Sequence, residues 1–301
     1  MALIRILSTA IVLAIALQCY AITEEETKNF GTTGMPERNT GLVGWVTVTE
    51  HMDGTKWIFR SNGIPDHDTA TWPWPGVNPN FIREQSYQYT LPKTPRFATE
   101  ATCLPGGPIG MASNGLPLYN PWNAFSENAV AGDTAEIFDL CDGHPDEPGR
   151  YHYHKQPASC LFKDPSQMLG VAFDGFAIYG PVDENGKTLT SADLDECHGR
   201  YNNGGTYQYH ATADFPYILG CFKGKPHGIV IHPDFCYFAS DADENGNIPK
   251  ASASNHEMKI AGAIADIEED HRPRVPANLW QRRLPKNYIE FLSKKLFEGV
   301  A

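Results

Sequence analysis

A twelve-residue segment that occurs twice, sixty residues apart, constrains the fold of this chain more than any other feature. Residues 110–121 (GMASNGLPLYNP) align with residues 170–181 (GVAFDGFAIYGP), and seven of the twelve positions match by identity or by close chemistry. The full repeat spans residues 110–154 and 170–210. Two copies are too few for a solenoid. The duplication therefore predicts two equivalent β-units packed against each other around a pseudo-twofold centre.

The second half of each copy carries a cysteine and a tyrosine-rich strand. Cys141 aligns with Cys197, and residues 151–154 (YHYH) align with residues 207–210 (YQYH). An Asn-Gly or Asp-Gly pair in each copy is typical of a tight turn between short strands. The chain also contains 27 glycines and 23 prolines, which favours many turns over long helices. These patterns predict a mainly β fold, in which duplicated β-units form one disulfide-stabilised, β-rich domain over residues 41–240.

The segments outside the repeat have different patterns. Residues 44–50 and 56–61 alternate β-branched or aromatic residues with polar ones around a turn, which predicts a β-hairpin. Residues 22–40 form a polar lead-in, and residues 241–301 form a polar turn and a helical C-terminal tail. Apolar residues recur in the tail at helical spacing, namely Tyr288, Ile289, Phe291, Leu292, Leu296 and Phe297. We expect a C-terminal amphipathic helix docked on the core, with a membrane-surface helix as the alternative.

The first 21 residues are typical of a secretory signal peptide. Arg5 precedes an apolar run over residues 6–17, and Cys19 and Ala21 place small residues at a cleavage site. The run is too short for a transmembrane span. We therefore expect a secreted, extracellular protein with residues 1–21 removed and with no transmembrane segment.

Six cysteines follow the predicted signal peptide, and an even number in an oxidising compartment favours three disulfides. These cysteines are Cys103, Cys141, Cys160, Cys197, Cys221 and Cys236. Fifteen pairings are compatible with the sequence, which does not choose among them. No C-x-x-C spacing occurs, so a thiolate zinc site is disfavoured.

The charge of the chain and the motifs that it lacks exclude several classes of function. It has 24 Lys and Arg residues against 36 Asp and Glu, a formal net charge of −12. It therefore lacks the clustered basic charge that nucleic acid binding needs. The sequence contains no G-x-S-x-G elbow, no P-loop, no dinucleotide-binding fingerprint and no H-E-x-x-H motif. Any catalysis would therefore depend on a bound metal.

Histidines in the tyrosine-rich strands indicate a metal site. Side chains two residues apart in a strand share a face, so His152 and His154 project together, about 7 Å apart at Cα. His210 occupies the position equivalent to His154 in the second copy, whereas Gln208 replaces the equivalent of His152. A site built from both copies would hold His152, His154 and His210 around one ion, with an open fourth position.

Three further histidines, His144, His198 and His67, complete the predicted cluster. Imidazole ligands in a secreted protein without free thiolates favour Cu(II) or Zn(II). The alternative is that histidine and tyrosine alternate because aromatic residues suit strands. The imidazoles would then be hydrogen-bonded to backbone or carboxylate groups.

The tetrapeptide at residues 151–154 and the segments around it resemble the YHYH domain family of secreted and periplasmic proteins. The matching segments are Ser61–His67 (SNGIPDH), Val171–Pro181 (VAFDGFAIYGP), Leu194–Gly199 (LDECHG) and Phe215–Cys221 (FPYILGC). The resemblance covers about residues 40–235 and implies a shared fold and a secreted setting, without a particular activity. Ala177, where the family usually has proline, and Gln208 depart from the pattern. Gln208 would weaken any symmetric metal site.

Asp241, Asp243 and Asn245 match the first half of an EF-hand calcium loop, in which alternate oxygen ligands surround the ion. Position 12 of that loop is Ser252 instead of glutamate, and position 9 is Pro249. We therefore expect at most weak calcium binding. The alternative is a polar turn.

Three functions follow from these patterns and stay open at this point. The leading hypothesis is a secreted protein that binds a divalent transition metal, copper in preference to zinc, through the histidine cluster. The second is a structural protein of an acidic extracellular matrix or biomineral, with mineral or matrix components as partners. It is supported by the acidic charge and by the partial calcium loop. The third is a metal-dependent secreted enzyme.

Overall fold

The computed structural model describes residues 22–249, apart from residues 158, 159 and 162. Within this range the chain is mainly β, so the predicted fold class is confirmed. The predicted signal peptide and the predicted C-terminal helix lie outside the described residues. Among the described residues, no helix is both long enough and apolar enough to cross a bilayer.

Fifteen strands and four short helices make up the described chain. The strands are β1 (Val46–Glu50), β2 (Lys56–Ser61), β3 (Tyr87–Pro92), β4 (Phe97–Thr102), β5 (Leu104–Pro105), β6 (Pro108–Ala112), β7 (Pro117–Tyr119), β8 (Gly143–Pro145), β9 (Tyr151–Tyr153), β10 (Met168–Ala172), β11 (Ala177–Tyr179), β12 (Gly199–Tyr201), β13 (Tyr207–His210), β14 (Phe222–Gly224) and β15 (Cys236–Tyr237). The helices are α1 (Glu24–Thr27) and three 3-10 turns, Ser191–Asp193, Pro233–Phe235 and Ala239–Asp241. The short strands and helices agree with the high glycine and proline content.

Eight of these strands form a central sheet whose order shows the duplication. The order is β12-β13-β11-β10-β6-β7-β9-β8. The first copy of the repeat supplies β6 to β9, and the second supplies β10 to β13. Counted outward from the centre, the order is β6-β7-β9-β8 on one side and β10-β11-β13-β12 on the other. The two predicted β-units are therefore present and equivalent.

The two units meet at the antiparallel pair of β6 and β10. Met111 pairs with Val171, its own equivalent in the repeat, and the pairing extends by one residue on either side. The pseudo-twofold axis therefore passes between these two residues. A Cβ atom on Gly110 would lie 2.5 Å from the carbonyl oxygen of Val171, and one on Gly170 would lie 2.1 Å from that of Met111. The close approach of the strands thus depends on the repeated glycine.

Each unit then folds in the same way on its own side of the axis. A tight turn joins the first two strands of each unit, with Gly115 at a φ of +84° and Gly175 at +94°. Glycine is favoured there because other residues rarely adopt positive φ. After a longer connection, β9 runs parallel to β7 and β13 runs parallel to β11. The strands β8 and β12 add antiparallel at the two edges. The two tyrosine-rich strands therefore lie near opposite edges of the sheet.

Three smaller sheets accompany the central one. β1, β2 and β3 form an antiparallel sheet, and the predicted hairpin is present with Val46 opposite Ser61. β4 pairs with β14, and β5 pairs with β15. One cluster of buried apolar side chains, including Phe59, Ile109 and Phe173, extends from the three-stranded sheet into the central one.

The six cysteines predicted to be oxidised form three disulfides, and the structure selects one pairing. The disulfides are Cys103–Cys236, Cys141–Cys160 and Cys197–Cys221. The first joins residues 133 positions apart, and the other two join residues 19 and 24 positions apart. In both units the repeated cysteine therefore bonds to a partner outside the repeated segments.

Candidate metal centre

Strands β8 and β9 of the first unit bring three histidines together near the edge of the central sheet. His144 in β8 lies directly opposite His152 in β9. His154 follows two residues after His152 and projects from the same face. Glu136, in the connection before β8, contacts His144 and His154. One ligand atom from each of these four side chains lies within 4.8 Å of all the others, so together they could hold a metal ion.

The four ligand atoms form a closed ring of short distances. His144 Nε2 lies 3.0 Å from His152 Nε2, which lies 3.1 Å from His154 Nε2. Glu136 Oε2 completes the ring, 3.0 Å from His144 Nε2 and 3.1 Å from His154 Nε2. Across the ring, the Glu136 carboxylate and His152 are more than 4.0 Å apart.

Four nearly equal edges and one longer diagonal describe a compact ring of ligand atoms. The centre of a square with such edges lies about 2.2 Å from each corner, close to metal–nitrogen and metal–oxygen bond lengths. A ring of this size matches the spacing of ligand atoms around a single divalent transition-metal ion.

Backbone carbonyl groups fix the protonation of two of the rings. His152 Nδ1 donates to the Arg150 carbonyl oxygen at 2.9 Å, and His154 Nδ1 donates to the Asn120 carbonyl oxygen at 2.6 Å. In a neutral imidazole with its proton on Nδ1, Nε2 is an acceptor. With both rings neutral, the Nε2 atoms of His152 and His154 would face each other with lone pairs and with no proton between them.

The carboxylate of Glu136 adds another acceptor to this cluster. Its Oε2 atom is buried and makes no hydrogen bond of acceptable geometry with the described residues, although two imidazole nitrogens lie close to it. Buried acceptors that lack donors are costly. A metal ion at the centre would contact all four atoms and remove that cost.

The pKa shifts in the cluster favour the protonation state that binds metals. Burial alone would raise the pKa of the Glu136 carboxyl, but the contacts with His144 and His154 hold this pKa below its usual value. Burial and the two neighbouring imidazoles lower the pKa of His152 well below its usual value. An ionised carboxylate beside a neutral imidazole is the form in which both groups bind a metal.

An aromatic ring and an ion pair support His152 from behind. Tyr119 stacks on the His152 ring with the centroids 3.7 Å apart. The Tyr119 hydroxyl donates to Asp146 at 2.9 Å, and Asp146 pairs with Arg150 at 2.6 Å. The three histidines of the cluster are almost fully buried, whereas the Glu136 side chain is 27% exposed. The site therefore opens to solvent on the side of Glu136.

His210 does not reach this cluster, although the sequence predicted that it shares an ion with His152 and His154. β13 lies five strand positions from β9 in the central sheet. At the usual strand spacing this is about 24 Å along the sheet. His210 Nδ1 donates to the Gly180 carbonyl oxygen at 2.8 Å, and its Nε2 accepts from the Gln208 amide at 2.9 Å. Both nitrogens of His210 are thus hydrogen-bonded within the second unit.

His198 also lies apart from the cluster, in the second unit. Its Nδ1 donates to the Ile218 carbonyl oxygen at 3.0 Å, and its Nε2 lies 3.0 Å from Ser191 Oγ. Burial is the main cause that lowers the pKa of His198 to about 4. His198 is thus a neutral, hydrogen-bonded core residue.

His67 is hydrogen-bonded beneath the cluster instead of belonging to it. Its Nε2 lies 2.6 Å from the Tyr153 hydroxyl, and its Nδ1 donates to the Asp68 carbonyl oxygen at 3.1 Å. Cys141 and Cys160 lie close enough to His67 to form a second group of metal ligands. Their sulfur atoms are joined in a disulfide, however, so no thiolate is available there.

The second unit repeats the backbone of the candidate site but not its ligands. The register of β12 with β13 matches that of β8 with β9. The residues equivalent to His144, His152 and His154 are Arg200, Gln208 and His210, and at the same offset of 56 Glu136 aligns with Ala192. Arg200 pairs with Glu184 at 2.7 Å, which places a cation where the first unit has an imidazole. The second unit thus keeps one of the four ligand side chains.

Glu136 is the site residue that the sequence patterns did not reveal. It lies in a connection that is four residues longer in the first copy than in the second, because the offset between copies falls from 60 to 56. No motif marks it. The sequence indicates Glu136 only when the two copies of the repeat are compared. The first copy, which has the histidines, has a carboxylate where Ala192 aligns in the second copy.

The partial calcium loop forms a turn that uses its own carboxylate. Asp243 Oδ1 accepts from the backbone amides of Asn245 and Asn247, both at 2.9 Å. Residues 183–187 form a turn with the same hydrogen bonds. A Phe238 amide donates to Asp241 at 3.3 Å. Weak calcium binding by Asp241, Asp243 and Asn245 stays a prediction.

Comparison with known proteins identifies the family. The family model described as "YHYH protein" matches residues 88–189 and 182–224, which together contain both tyrosine-rich strands. No curated protein and no solved structure matches the chain significantly. The resemblance noted from the sequence motifs is therefore confirmed. The chain thus carries a YHYH domain over these residues.

Proposed function

We propose that this protein binds one divalent transition-metal ion, Cu(II) in preference to Zn(II), through Glu136, His144, His152 and His154. The observation that carries the proposal is the convergence of acceptor atoms at 3.0–3.1 Å without enough donors between them. Packing alone would be expected to leave these nitrogens hydrogen-bonded, as they are in His210. A shared cation accounts for their arrangement.

The preference for copper rests on the donor set and its geometry. Three imidazole nitrogens and one carboxylate oxygen in a compact ring suit Cu(II), which accepts nitrogen and oxygen ligands in tetragonal sites. For a given set of nitrogen and oxygen ligands, Cu(II) also binds more tightly than Zn(II) or Ni(II). All six cysteines among the described residues are in disulfides, so no thiolate competes for the ion.

Titration of Cu(II) into metal-free protein, followed by calorimetry and electron paramagnetic resonance, tests the proposal. We expect one ion per chain and the spectrum of a tetragonal, nitrogen-rich Cu(II) centre. His152→Gln copies the second unit and removes one ligand. It should weaken Cu(II) binding by more than the roughly 10–100-fold that loss of an outer-shell partner costs. His210→Gln is the matched control and should leave the affinity unchanged.

Two results would contradict this proposal. One is wild-type protein that binds neither Cu(II) nor Zn(II). The other is an equal loss of affinity in His152→Gln and His210→Gln, because only His152 lies in the cluster. A higher affinity for Zn(II) than for Cu(II) would keep the site and reverse the metal preference.

The other two functions stay predictions of the sequence. A role in an acidic matrix or a biomineral rests on the net charge of −12 and on the partial calcium loop. A metal-dependent enzyme would bind its substrate on the solvent-exposed side of the cluster, beside Glu136. Three disulfides are consistent with the predicted extracellular location.

A further inference from the structure

A cavity of about 660 Å³ opens at one end of the three-stranded sheet. It is lined by residues 22–24, 54–57 and 92–94 and by Arg96, none of which belongs to the repeat or to the histidine cluster. Its volume lies in the range of small-molecule binding sites. The cavity is therefore a second place where this protein could bind a ligand, independent of the metal centre.

The charge of the cavity is opposite to that of the chain. The protein has a net charge of −12, yet the cavity is lined by Lys56, Lys93 and Arg96 against one carboxylate, Glu24. Such a local excess of positive charge attracts anions. Lys93 forms an ion pair with Glu50, outside the lining, and its ammonium lies 4.0 Å from the centre of the Trp57 ring.

Two of these cations have no partner, which is unusual among the described residues. Most Lys and Arg side chains there contact a carboxylate, a carbonyl or amide oxygen, or an aromatic ring. In the described ranges, the cations for which the structure shows no such contact are Lys56, Arg96 and Lys163. Two of the three line the cavity. In a chain with an excess of carboxylates, this placement leaves positive charge free for an external anion.

The floor of the cavity is apolar and held in place. Trp57 is 8% exposed, and its indole nitrogen donates to the Ile22 carbonyl oxygen at 2.9 Å. Pro92 lies beside it, opposite Lys56 in the pairing of β2 with β3. Thr94 adds a hydroxyl group at the rim. Lys93 covers one face of the Trp57 ring, so an anion that binds here would pack a ring-shaped body against Pro92 and the small exposed part of Trp57 while its charged group faces the cations.

We propose that this cavity binds an acidic saccharide, one or two rings in size, through a sulfate or carboxylate group. The guanidinium of Arg96 can hold such an oxyanion with two parallel hydrogen bonds, and the ammonium of Lys56 supplies a second charge. The sugar ring packs on the apolar floor, and threonine hydroxyls at the rim bond to its hydroxyl groups. This site is independent of the metal centre.

Calorimetry of the full chain with three disaccharides tests the proposal. The probes are a sulfated disaccharide, a disaccharide with a uronic acid and no sulfate, and a neutral disaccharide. We expect binding of at least one acidic probe and none of the neutral probe. The stronger of the two acidic probes identifies the anionic group. Affinity should fall with salt, because exposed charges are screened.

Three variants place the binding in the cavity. Lys56→Gln and Arg96→Gln should each weaken binding of the acidic probe by at least about tenfold, since each removes a charged hydrogen bond. Lys163→Gln removes an equally unpaired cation outside the cavity and should leave the affinity unchanged. Cu(II) binding should be the same in all three variants, which also shows that they fold.

The proposal is overturned by any of three results. The first is that none of the acidic probes binds, and the second is that the neutral disaccharide binds as tightly as the acidic ones. The third is that Lys163→Gln weakens binding as much as Arg96→Gln does, since binding would then follow net charge and not the cavity. None of these results bears on Cu(II) binding at the histidine cluster.

Discussion

The two units of the central sheet share the contacts that support their tyrosine-rich strands, but only the first has a cluster of metal-ligand side chains. In the first unit the Tyr151 hydroxyl donates to Asp139 at 2.8 Å. In the second, the Tyr207 hydroxyl donates to Asp195 at 3.1 Å. The tyrosine and its aspartate acceptor are thus retained in both copies, while two of the three histidines are not.

The glycine that follows each repeated cysteine by two residues depends on the same tyrosines. A Cβ atom on Gly143 would lie 2.4 Å from the ring of Tyr151, and one on Gly199 would lie 2.1 Å from the Tyr207 hydroxyl. The tyrosine, the aspartate and the glycine therefore form one packing unit, present twice. The comparison teaches that the tyrosines of the YHYH strand belong to the fold, and that its histidines are free to carry chemistry.

The largest expected effect comes from rebuilding the missing site in the second unit. The triple variant Ala192→Glu, Arg200→His, Gln208→His would give this unit the four side chains of the first. Because the backbone register is the same, we expect a second Cu(II) ion per chain, with a dissociation constant below about 1 mM, or about 4 kcal/mol of binding free energy.

Calorimetric stoichiometry checks this prediction, and Gln208→His alone is the control that should stay at one ion. If the triple variant also bound a single ion, equivalence of the two backbones would not suffice for the site. The exact position of the connection that carries Glu136 would then be essential.

Substitution at the pseudo-twofold axis should be costly in both units alike. Gly110→Ala and Gly170→Ala each press a methyl group against a backbone carbonyl that cannot move aside. We expect each to lower the free energy of unfolding by about 3 kcal/mol, measured by urea denaturation. Gly31→Ala is the control, because a Cβ atom there has nothing within 4 Å. Unequal losses at the two central glycines would argue against the symmetric junction.

The stability of the second unit should depend on pH through Asp174, whereas the equivalent residue of the first unit, Asn114, does not titrate. Both are equivalent turn residues beneath a tyrosine hydroxyl, Tyr153 in the first unit and Tyr209 in the second. Burial raises the pKa of Asp174 to about 6, although hydrogen bonds from Tyr209 and from backbone amides oppose the shift. A carboxyl with a raised folded-state pKa stabilises the fold fully below its unfolded pKa, and this contribution is lost as the pH rises through 6.

Asp174→Asn should remove this dependence. The free energy of unfolding of the wild type minus that of the variant should fall by up to about 3 kcal/mol between pH 4 and pH 7. Urea denaturation of both proteins at several pH values provides the measurement. A difference that does not change with pH would show that Asp174 is ionised throughout, as its hydrogen bonds alone would favour.

The smallest expected effect concerns the tyrosines that both units retain. Tyr151→Phe and Tyr207→Phe each remove one hydrogen bond to an aspartate, which should cost about 1–2 kcal/mol of unfolding free energy in either unit. Cu(II) affinity should be unchanged in Tyr151→Phe, because the ring still covers Gly143. A marked loss of Cu(II) affinity in that variant would mean that the hydroxyl positions the histidines and does not only stabilise the strand.

The repeat correctly predicted which residues of the two units are equivalent, but it did not predict which of them lie close together. His210 shows why. A twofold axis brings equivalent residues together only beside the axis, as with Met111 and Val171. His154 and His210 are equivalent too, but their strands lie five positions apart in the sheet. The sequence therefore could identify His210 as the counterpart of His154, and could not state that the two lie in different halves of the molecule.

The sequence by itself determined the features that depend on local patterns. The mainly β fold, the duplicated units and the shared face of His152 and His154 follow from alternation, turn residues and spacing, which act within a few residues. The oxidation of the cysteines follows from their even number after a predicted signal peptide. The tertiary structure alone decided which distant groups meet. The register of β8 with β9 brings His144 to His152, a connection without any motif brings Glu136 to them, and the fold selects the three disulfides. The physical reason is that the register of the strands and the path of the connections between them are set by packing over the whole sheet, which no single segment encodes.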